Sequence, residues 1–168
     1  MRHSIFLSCT LALLCAAGLA TAAEIDLLMG GDFEVGSWSA QVWEGGEGSG
    51  TVTTDVARSG SRSLHLSGVA AATVVAERGF SLLSVDRPVT LTGYWKGNVT
   101  DGTGGRIIVR WLNGANEKLR DDALPTKAGE FDWTQFSATL TPPKGSASGR
   151  LFLEIWRTTG AVWYDDVR

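Results

Sequence analysis

The stretch "GRLFLEIWR", residues 149–157, decides the fold class. Its side chains alternate between an aliphatic set, Leu151, Leu153 and Ile155, and a second set, Phe152, Glu154 and Trp156. Successive side chains of a β-strand point to opposite faces, so a period of two predicts a strand. We expect the aliphatic set to face a core and the second set to lie on the opposite face of the same sheet.

Segments with the same character fill most of the remaining chain. Gly-, Ser-, Asp- and Asn-rich turns separate them, and no convincing amphipathic helix is present. They are residues 49–57, 63–68, 72–80, 87–97, 105–112, 132–143 and 161–167. Many short strands with this punctuation predict an antiparallel β-sandwich or barrel. The inward residues are expected to be Leu91, Gly93 and Trp95 in one strand and Ile107, Val109 and Trp111 in another, with Arg110 outward.

The first 22 residues have the pattern of a secretory signal peptide. Arg2 precedes an apolar run that is too short for a comfortable membrane span, and small residues follow it. Both cysteines, Cys9 and Cys15, lie in this segment, so residues 23–168 are expected to form one secreted domain without disulfides. The 15 basic residues include Arg2, so the mature chain has 14 against 18 acidic residues. This acidic balance argues against nucleic acid and anionic membranes as partners.

The second face of residues 149–157 has the composition of a sugar-binding surface. Aromatic rings stack on the apolar faces of sugars, and polar groups between them bond the hydroxyls. Candidate contacts are Trp43, Tyr94, Arg110, Phe152, Glu154 and Trp156, with Tyr94 and Arg110 included if their strands lie in the same sheet. The alternative for any tryptophan is a place in the core or covering a sheet. We prefer that interpretation for Trp38, Trp95, Trp111, Trp133 and Trp163.

Several segments in order resemble carbohydrate-binding modules of families four, nine and twenty-two. They are "LLMGGDFEVGSW" (27–38), "ARSGSRSLHLSG" (57–68), "VTLTGYWKG" (89–97), "FDWTQFSATLTPP" (131–143) and "VWYDDV" (162–167). The resemblance implies a jelly-roll β-sandwich that binds a polysaccharide or oligosaccharide, such as xylan or another plant or algal β-glycan. It also implies action for a catalytic domain that is linked to the module or works beside it. One departure is that the family's opening Asn-Pro is replaced here by Gly30-Gly31-Asp32.

The same resemblance implies a structural calcium ion that ties the start of the domain to its last strand. The matching carboxylates are Glu34 and Asp165, and backbone carbonyls near Asp32 and around Ser61, at Gly60–Arg62, complete the set. Calcium binds six to eight oxygens, and carboxylates and carbonyls suit it. Alternation places Trp163, Asp165 and Val167 on one face, which is expected to turn Asp165 toward the interior. The alternative is that Asp165 and Asp166 are exposed terminal acids.

Enzymatic functions have weaker support in the sequence. A glycosidase needs two carboxylates across a sugar, and Glu154 has no evident partner on its face. No G-x-S-x-G motif is present. A small polysaccharide lyase would use Tyr with His or Arg, but a half-buried structural role is commoner for a residue placed like His65. We therefore predict a non-catalytic binding module. The main rival is a cell-surface or protein-interaction domain without sugar affinity.

Overall fold

The computed structural model describes residues 25–36, 38–84 and 87–168, so the predicted signal peptide lies outside the described part. The described residues contain eight strands and no helix long and apolar enough to cross a membrane. The strands are β1 (Ala40–Glu44), β2 (Gly48–Thr53), β3 (Ser63–Ser81), β4 (Val89–Gly102), β5 (Gly105–Leu112), β6 (Lys118–Ala123), β7 (Glu130–Leu140) and β8 (Ser148–Asp165).

Two long strands, β3 and β8, run through both layers of a sandwich. Their halves at residues 64–68 and 160–164 pair with each other, and with β2 and β4, in a layer that also contains β7. We call this layer the back sheet. Their other halves, near residues 72–81 and 148–158, pair with each other, and with β1 and β5, in a layer that also contains β6. We call this second layer the front sheet. All pairings are antiparallel, which confirms the predicted all-β jelly roll.

The crossing from one sheet to the other depends on residues with left-handed backbone. Ala70 and Ala71 in β3 have φ of 55° and 60°, and Arg157 in β8 has φ of 47°. Such conformations interrupt a strand because non-glycine side chains adopt them at a cost. Thr73 stabilises the turn by accepting a hydrogen bond from the Arg157 amide at 3.1 Å. Because the strand is interrupted at Arg157, the alternation of residues 149–156 does not determine which face its side chain lies on.

The core lies between the two sheets and contains the residues that the alternation predicted. Leu151, Leu153 and Ile155 are buried on β8. The expected inward residues of β4 and β5 are also buried: Leu91, Gly93, Trp95, Ile107, Val109 and Trp111. Truncating a buried leucine of this kind to alanine costs about 2–5 kcal/mol. The Leu153 side chain therefore makes a large contribution to the stability of the sheet that carries the second set.

The predicted orientation of the last strand is wrong. Val162 and Tyr164 face the core with no exposed surface, so Trp163 and Asp165 lie on the outer face of the back sheet. Trp163 is half-buried and stacks on His65, with ring centroids 4.7 Å apart. Asp165 is buried because the turn at residues 58–59 covers it. The sequence pattern was ambiguous because the residues at 162–165 are all large, aromatic or acidic.

The start of the described chain packs directly against its end. The Val167 amide donates to the Gly31 carbonyl at 2.8 Å. A Cβ atom at position 31 would lie 1.9 Å from the Val167 carbonyl oxygen. Only glycine fits such a close backbone approach, which accounts for Gly31 where the family resemblance has another residue.

Candidate binding site

The outer face of the front sheet brings together aromatic and charged residues from three strands. We call this surface the arginine–aromatic face and define it by Trp43 of β1, Arg106 and Arg110 of β5, and Phe152, Glu154 and Trp156 of β8. The register sets Arg106 opposite Glu154, and Arg110 opposite Arg150. Because the aliphatic residues of β8 must be buried, alternation forces its second set onto this face.

Five of the six predicted sugar contacts lie on this face, and Tyr94 does not. Tyr94 belongs to the part of β4 that pairs with Asp165 and Gln135 in the back sheet. Its ring is covered by the Arg58 guanidinium, whose central carbon lies 3.5 Å from the ring centroid. Tyr94 was predicted to contact the sugar only if its strand shared a sheet with the other candidates. It lies in the back sheet and Arg110 lies in the front sheet, so Tyr94 is not part of the arginine–aromatic face.

Trp43 is the most open aromatic residue of the arginine–aromatic face, with 50% of its surface exposed. It sits at a bulge of edge strand β1, between the paired residues Val42 and Glu44. Its ring meets Phe152 edge-on at 5.7 Å between centroids. Phe152 itself is only 2% exposed, and the Arg110 guanidinium lies 5.0 Å from its ring centroid. Phe152 therefore supports Trp43 from below and offers little surface to a ligand.

Glu154 is almost fully buried on this face, and Arg106 covers it. The Arg106 Nε donates to the Glu154 carboxylate at 2.5 Å. Burial raises the pKa of Glu154, and the hydrogen bond and charge of Arg106 oppose that shift. The Arg106 guanidinium also lies 3.6 Å from the ring centroid of Trp156, so it covers one side of that half-buried ring.

Arg106 is the residue of this face that the sequence analysis did not select. A signal for it was present, because Arg106 and Arg110 are four residues apart on one strand and share a face. Once Arg110 is assigned outward, Arg106 must be outward too. Its meeting with Glu154 depends on the pairing of β5 with β8, which the sequence pattern did not specify.

A core tyrosine holds the Arg106–Glu154 pair from beneath the sheet. The Tyr164 hydroxyl donates its one hydrogen mainly to the backbone carbonyl of Glu154 at 2.6 Å, and the backbone carbonyl of Arg106, at 3.3 Å, is the weaker second acceptor. Tyr164 is fully buried, and burial raises its pKa far above the usual range, so the hydroxyl stays protonated. The donor is thus permanent at any ordinary pH.

The charges on and around the arginine–aromatic face are balanced in pairs. Each arginine contacts its own carboxylate: Arg106–Glu154, Arg110–Asp121, Arg150–Glu77 and Arg157–Glu44. Arg110 binds Asp121 through two nitrogens, at 2.8 and 3.0 Å, and this hydrogen bonding lowers the pKa of Asp121 to about 2. The face therefore offers many polar groups and little net charge.

Glu34, one of the two acidic side chains matched to the calcium site, accepts hydrogen bonds from a turn. Its carboxylate accepts from the amides of Ser61 and Arg62 at 2.7 and 2.8 Å and from the Ser61 hydroxyl at 2.8 Å. These bonds, led by the Ser61 amide, lower the pKa of Glu34. A Cβ at Gly60, where φ is +59°, would lie 2.3 Å from a Glu34 carboxylate oxygen. The turn is therefore shaped around this carboxylate.

Asp165 is satisfied in a similar way from the other side of the same turn. It accepts hydrogen bonds from the amides of Arg58 and Ser59 at 2.8 and 3.2 Å and from the Asp166 amide. Asp166 binds the Arg58 guanidinium at 2.6 Å and the Ser59 hydroxyl at 2.9 Å. Burial raises the pKa of Asp165 despite these bonds. Asp165 and Asp166 are therefore buried, and both carboxylates are bound by donors of the turn at residues 58–59.

The side chains at the predicted calcium positions are held by hydrogen bonds within the protein. Backbone amides and the Ser61 hydroxyl already donate to the carboxylates of Glu34 and Asp165, whereas calcium requires oxygen ligands that point at it. Asp32 is exposed and accepts a hydrogen bond from the Glu34 amide at 3.2 Å. Within the described residues no three His, Cys, Asp or Glu side chains form a group suited to a metal. The resemblance correctly indicated that the chain start, the turn and the last strand meet, and the calcium ion stays a prediction.

Comparison with known proteins identifies the fold through solved structures. No protein-family model and no curated protein sequence matches the chain. A family 16 carbohydrate-binding module superposes with a TM-score of 0.63 at 18% identity, over 85% of this chain and 98% of that one. A family 61 module solved with β-1,4-galactotriose gives 0.59 at 13% identity, over 86% and 97%. The chain has the β-sandwich fold of carbohydrate-binding modules.

The same fold also occurs inside larger proteins. The enzymatically active domain of tailspike protein 4 from bacteriophage CBA120 gives a TM-score of 0.71 at 16% identity, over 85% of this chain. This chain spans about a fifth of the length of that tailspike chain, 21%. At such identities the likeness concerns the fold, and fold alone does not determine function.

Proposed function

We propose that this domain is a non-catalytic sugar-binding module whose ligand lies on the arginine–aromatic face. The observation that carries the proposal is the half-exposed Trp43 ring beside the Arg106–Glu154 pair. An aromatic ring offers an apolar platform, and charged hydrogen-bonding groups next to it supply donors and acceptors for hydroxyls. The similarity in fold to modules that bind xylan or contain galactotriose supports this assignment.

The spacing of the face suits a carbohydrate chain. Trp43 contacts Phe152, and Arg106 contacts Glu154, two residues further along β8. Two residues along a strand span about 7 Å, which is close to the length of one sugar unit. We infer that a chain running along β8 places one unit against Trp43 and brings a neighbouring unit to Arg106.

The balance of charge favours a neutral glycan. Each of the four arginines is already compensated by a carboxylate, so a uronic acid would meet no unpaired cation. A glycan carboxylate beside Arg106 would also lie near the buried Glu154, and the two negative charges would repel each other. A plant or algal β-glycan such as xylan, β-glucan or galactan fits this surface better than pectate or alginate.

Catalysis is not part of the proposal because the carboxylates of the face are engaged. Glu154 is buried against Arg106, and Asp121 binds Arg110 and Lys118. The lyase alternative needs a histidine or arginine beside a tyrosine. Neither tyrosine of the chain reaches the arginine–aromatic face, because Tyr164 is in the core and Tyr94, covered by Arg58, is on the back sheet. His65 is also on the back sheet. We further propose that the domain is secreted and acts beside, or linked to, a glycan-degrading enzyme.

Affinity electrophoresis through gels that contain soluble polysaccharides tests the proposal. Neutral xylan, β-glucan and galactan are expected to retard the protein, and polygalacturonate and alginate are not. Retardation by a neutral glycan should persist in 0.5 M salt, because it does not depend on net charge. If no polysaccharide retards the protein, the rival function of a protein-interaction domain is favoured.

A further inference from the structure

We propose that Arg106 selects glycans whose units carry two free neighbouring hydroxyls, and hence 1,4-linked over 1,3-linked backbones. This inference rests on the proposed function and adds the linkage class of the ligand. The Arg106 guanidinium has N–H donors that no protein acceptor among the described residues binds. The Arg106 Nε is bonded to Glu154, but within the described part of the chain neither terminal nitrogen donates to a protein acceptor.

Burial distinguishes Arg106 from the other arginines of the face. Its side chain is 18% exposed, whereas those of Arg150 and Arg157 are 45% and 61% exposed and well solvated. Arg110 is 33% exposed and uses two nitrogens on Asp121. Its two terminal nitrogens lie at the surface, because His65 Nε2 is the one buried side-chain polar atom without a partner in the described part of the chain. Arg106 can therefore donate to a ligand oxygen without giving up a protein acceptor.

The guanidinium is also fixed in orientation. Glu154 holds its Nε, and Trp156 lies under its plane at 3.6 Å from the ring centroid. The Tyr164 hydroxyl bonds the backbone carbonyls of both Arg106 and Glu154. A planar fork that is held in this way loses little freedom when it binds two acceptors at once. We assign Trp156 the role of positioning Arg106, and Trp43 that of the open platform.

The shape of the fork determines which sugar unit fits it. The two terminal nitrogens present parallel N–H donors that match two oxygens side by side. Hydroxyls on adjacent ring carbons provide such a pair. A 1,4-linked pyranose unit keeps its hydroxyls at positions 2 and 3 free. An internal 1,3-linked unit uses the oxygen at position 3 in its linkage, so its free hydroxyls at positions 2 and 4 are not neighbours, and only the unit at the non-reducing end keeps the pair at positions 2 and 3.

Isothermal titration with matched oligosaccharides tests the inference. The ligands are cellohexaose and xylohexaose, which are 1,4-linked, and laminarihexaose, which is 1,3-linked. We expect the wild-type domain to bind the better 1,4-linked ligand at least tenfold more tightly than laminarihexaose. Arg106→Gln should reduce that ratio to about threefold or less. Arg150→Gln, a change of the same kind at an exposed position of the same sheet, should leave the ratio unchanged.

Each outcome separates this inference from the proposed function. Equal binding of both linkages by the wild type, or an unchanged ratio in Arg106→Gln, overturns the role of Arg106 and leaves sugar binding intact. Absence of binding to every neutral glycan overturns both. Circular dichroism and a thermal melt of Arg106→Gln show whether it folds, and Arg106→Lys provides a second variant that keeps the charge but lacks the fork. If Arg106→Lys retains the wild-type ratio, the fork is not the selecting feature.

Discussion

The Tyr164 hydroxyl donates a hydrogen bond of 2.6 Å to the backbone carbonyl of Glu154, on the opposite side of the front sheet from the Glu154 carboxylate. This contact joins the core to the arginine–aromatic face, because Tyr164 comes from the part of β8 that lies in the back sheet. One strand therefore provides both the carboxylate that holds Arg106 and the hydroxyl that fixes the backbone beneath it. The crossing of β8 between sheets makes this arrangement possible.

Tyr164→Phe is expected to destabilise the domain by about 1–3 kcal/mol, the usual cost of leaving a buried polar group without its partner. The ring remains and fills the same space, so the loss reports the hydroxyl. Chemical denaturation measures it. Tyr94→Phe is the matched control, because the Tyr94 hydroxyl makes no hydrogen bond within the described residues. Equal stabilities of the two variants would show that the bond to Glu154 contributes nothing.

We expect the ion pair between Arg110 and Asp121 to account for part of the loss of folding stability at acid pH. The Asp121 pKa is lowered to about 2 from an ordinary value of 3.8, so the pair stabilises the fold above pH 4. This contribution is lost as the pH falls from about 4 to 2, because the unfolded chain binds the proton first. Asp121→Asn should therefore show a shallower loss of stability over that range than the wild type. Glu130→Gln, at an exposed residue outside any ion pair of the described chain, is the control.

We expect His65 to make the free energy of unfolding depend on pH in a second, higher pH range. Burial lowers its pKa below 6.5, and its Nε2 is buried without a hydrogen-bond partner among the described residues. The unfolded chain gains the proton more readily, so stability should fall as the pH drops below about 6.5. His65→Phe keeps a ring beside Trp163 and should remove this slope. The midpoints of urea unfolding at pH 7.5 and 5.5 measure the loss of stability in each protein. An equal loss in the wild type and in His65→Phe would show that His65 does not cause it.

Chelation decides the question of calcium. We expect EDTA to leave the melting temperature unchanged, since amide and guanidinium donors hold Glu34, Asp165 and Asp166. Arg58→Ala should lower the melting temperature in both the presence and the absence of EDTA, because Asp166 loses its ion-pair partner. A fall of several degrees in EDTA that added calcium reverses would instead support the ion that the family resemblance implies.

Alternation predicted the fold well wherever one face of a strand is aliphatic. Leu151, Leu153 and Ile155 leave one orientation for β8, and Phe152 and Trp156 follow from it. The pattern failed at Trp163, where both faces carry large side chains and the register has to be known. It also did not predict that Arg106 would cover Glu154, because that contact depends on the pairing of β5 with β8. Local periodicity assigns faces, and only the sheet topology brings residues of different strands together.

The most direct measurement is isothermal titration of Trp43→Ala with the neutral glycan that the wild type binds best. Loss of a stacking platform worth on the order of 1–2 kcal/mol should weaken binding roughly tenfold. Trp163→Ala, which removes a half-buried tryptophan from the outer face of the back sheet, is the matched control and should keep wild-type affinity. Wild-type affinity in Trp43→Ala with a tenfold loss in Trp163→Ala would place the sugar on the other sheet and contradict the account.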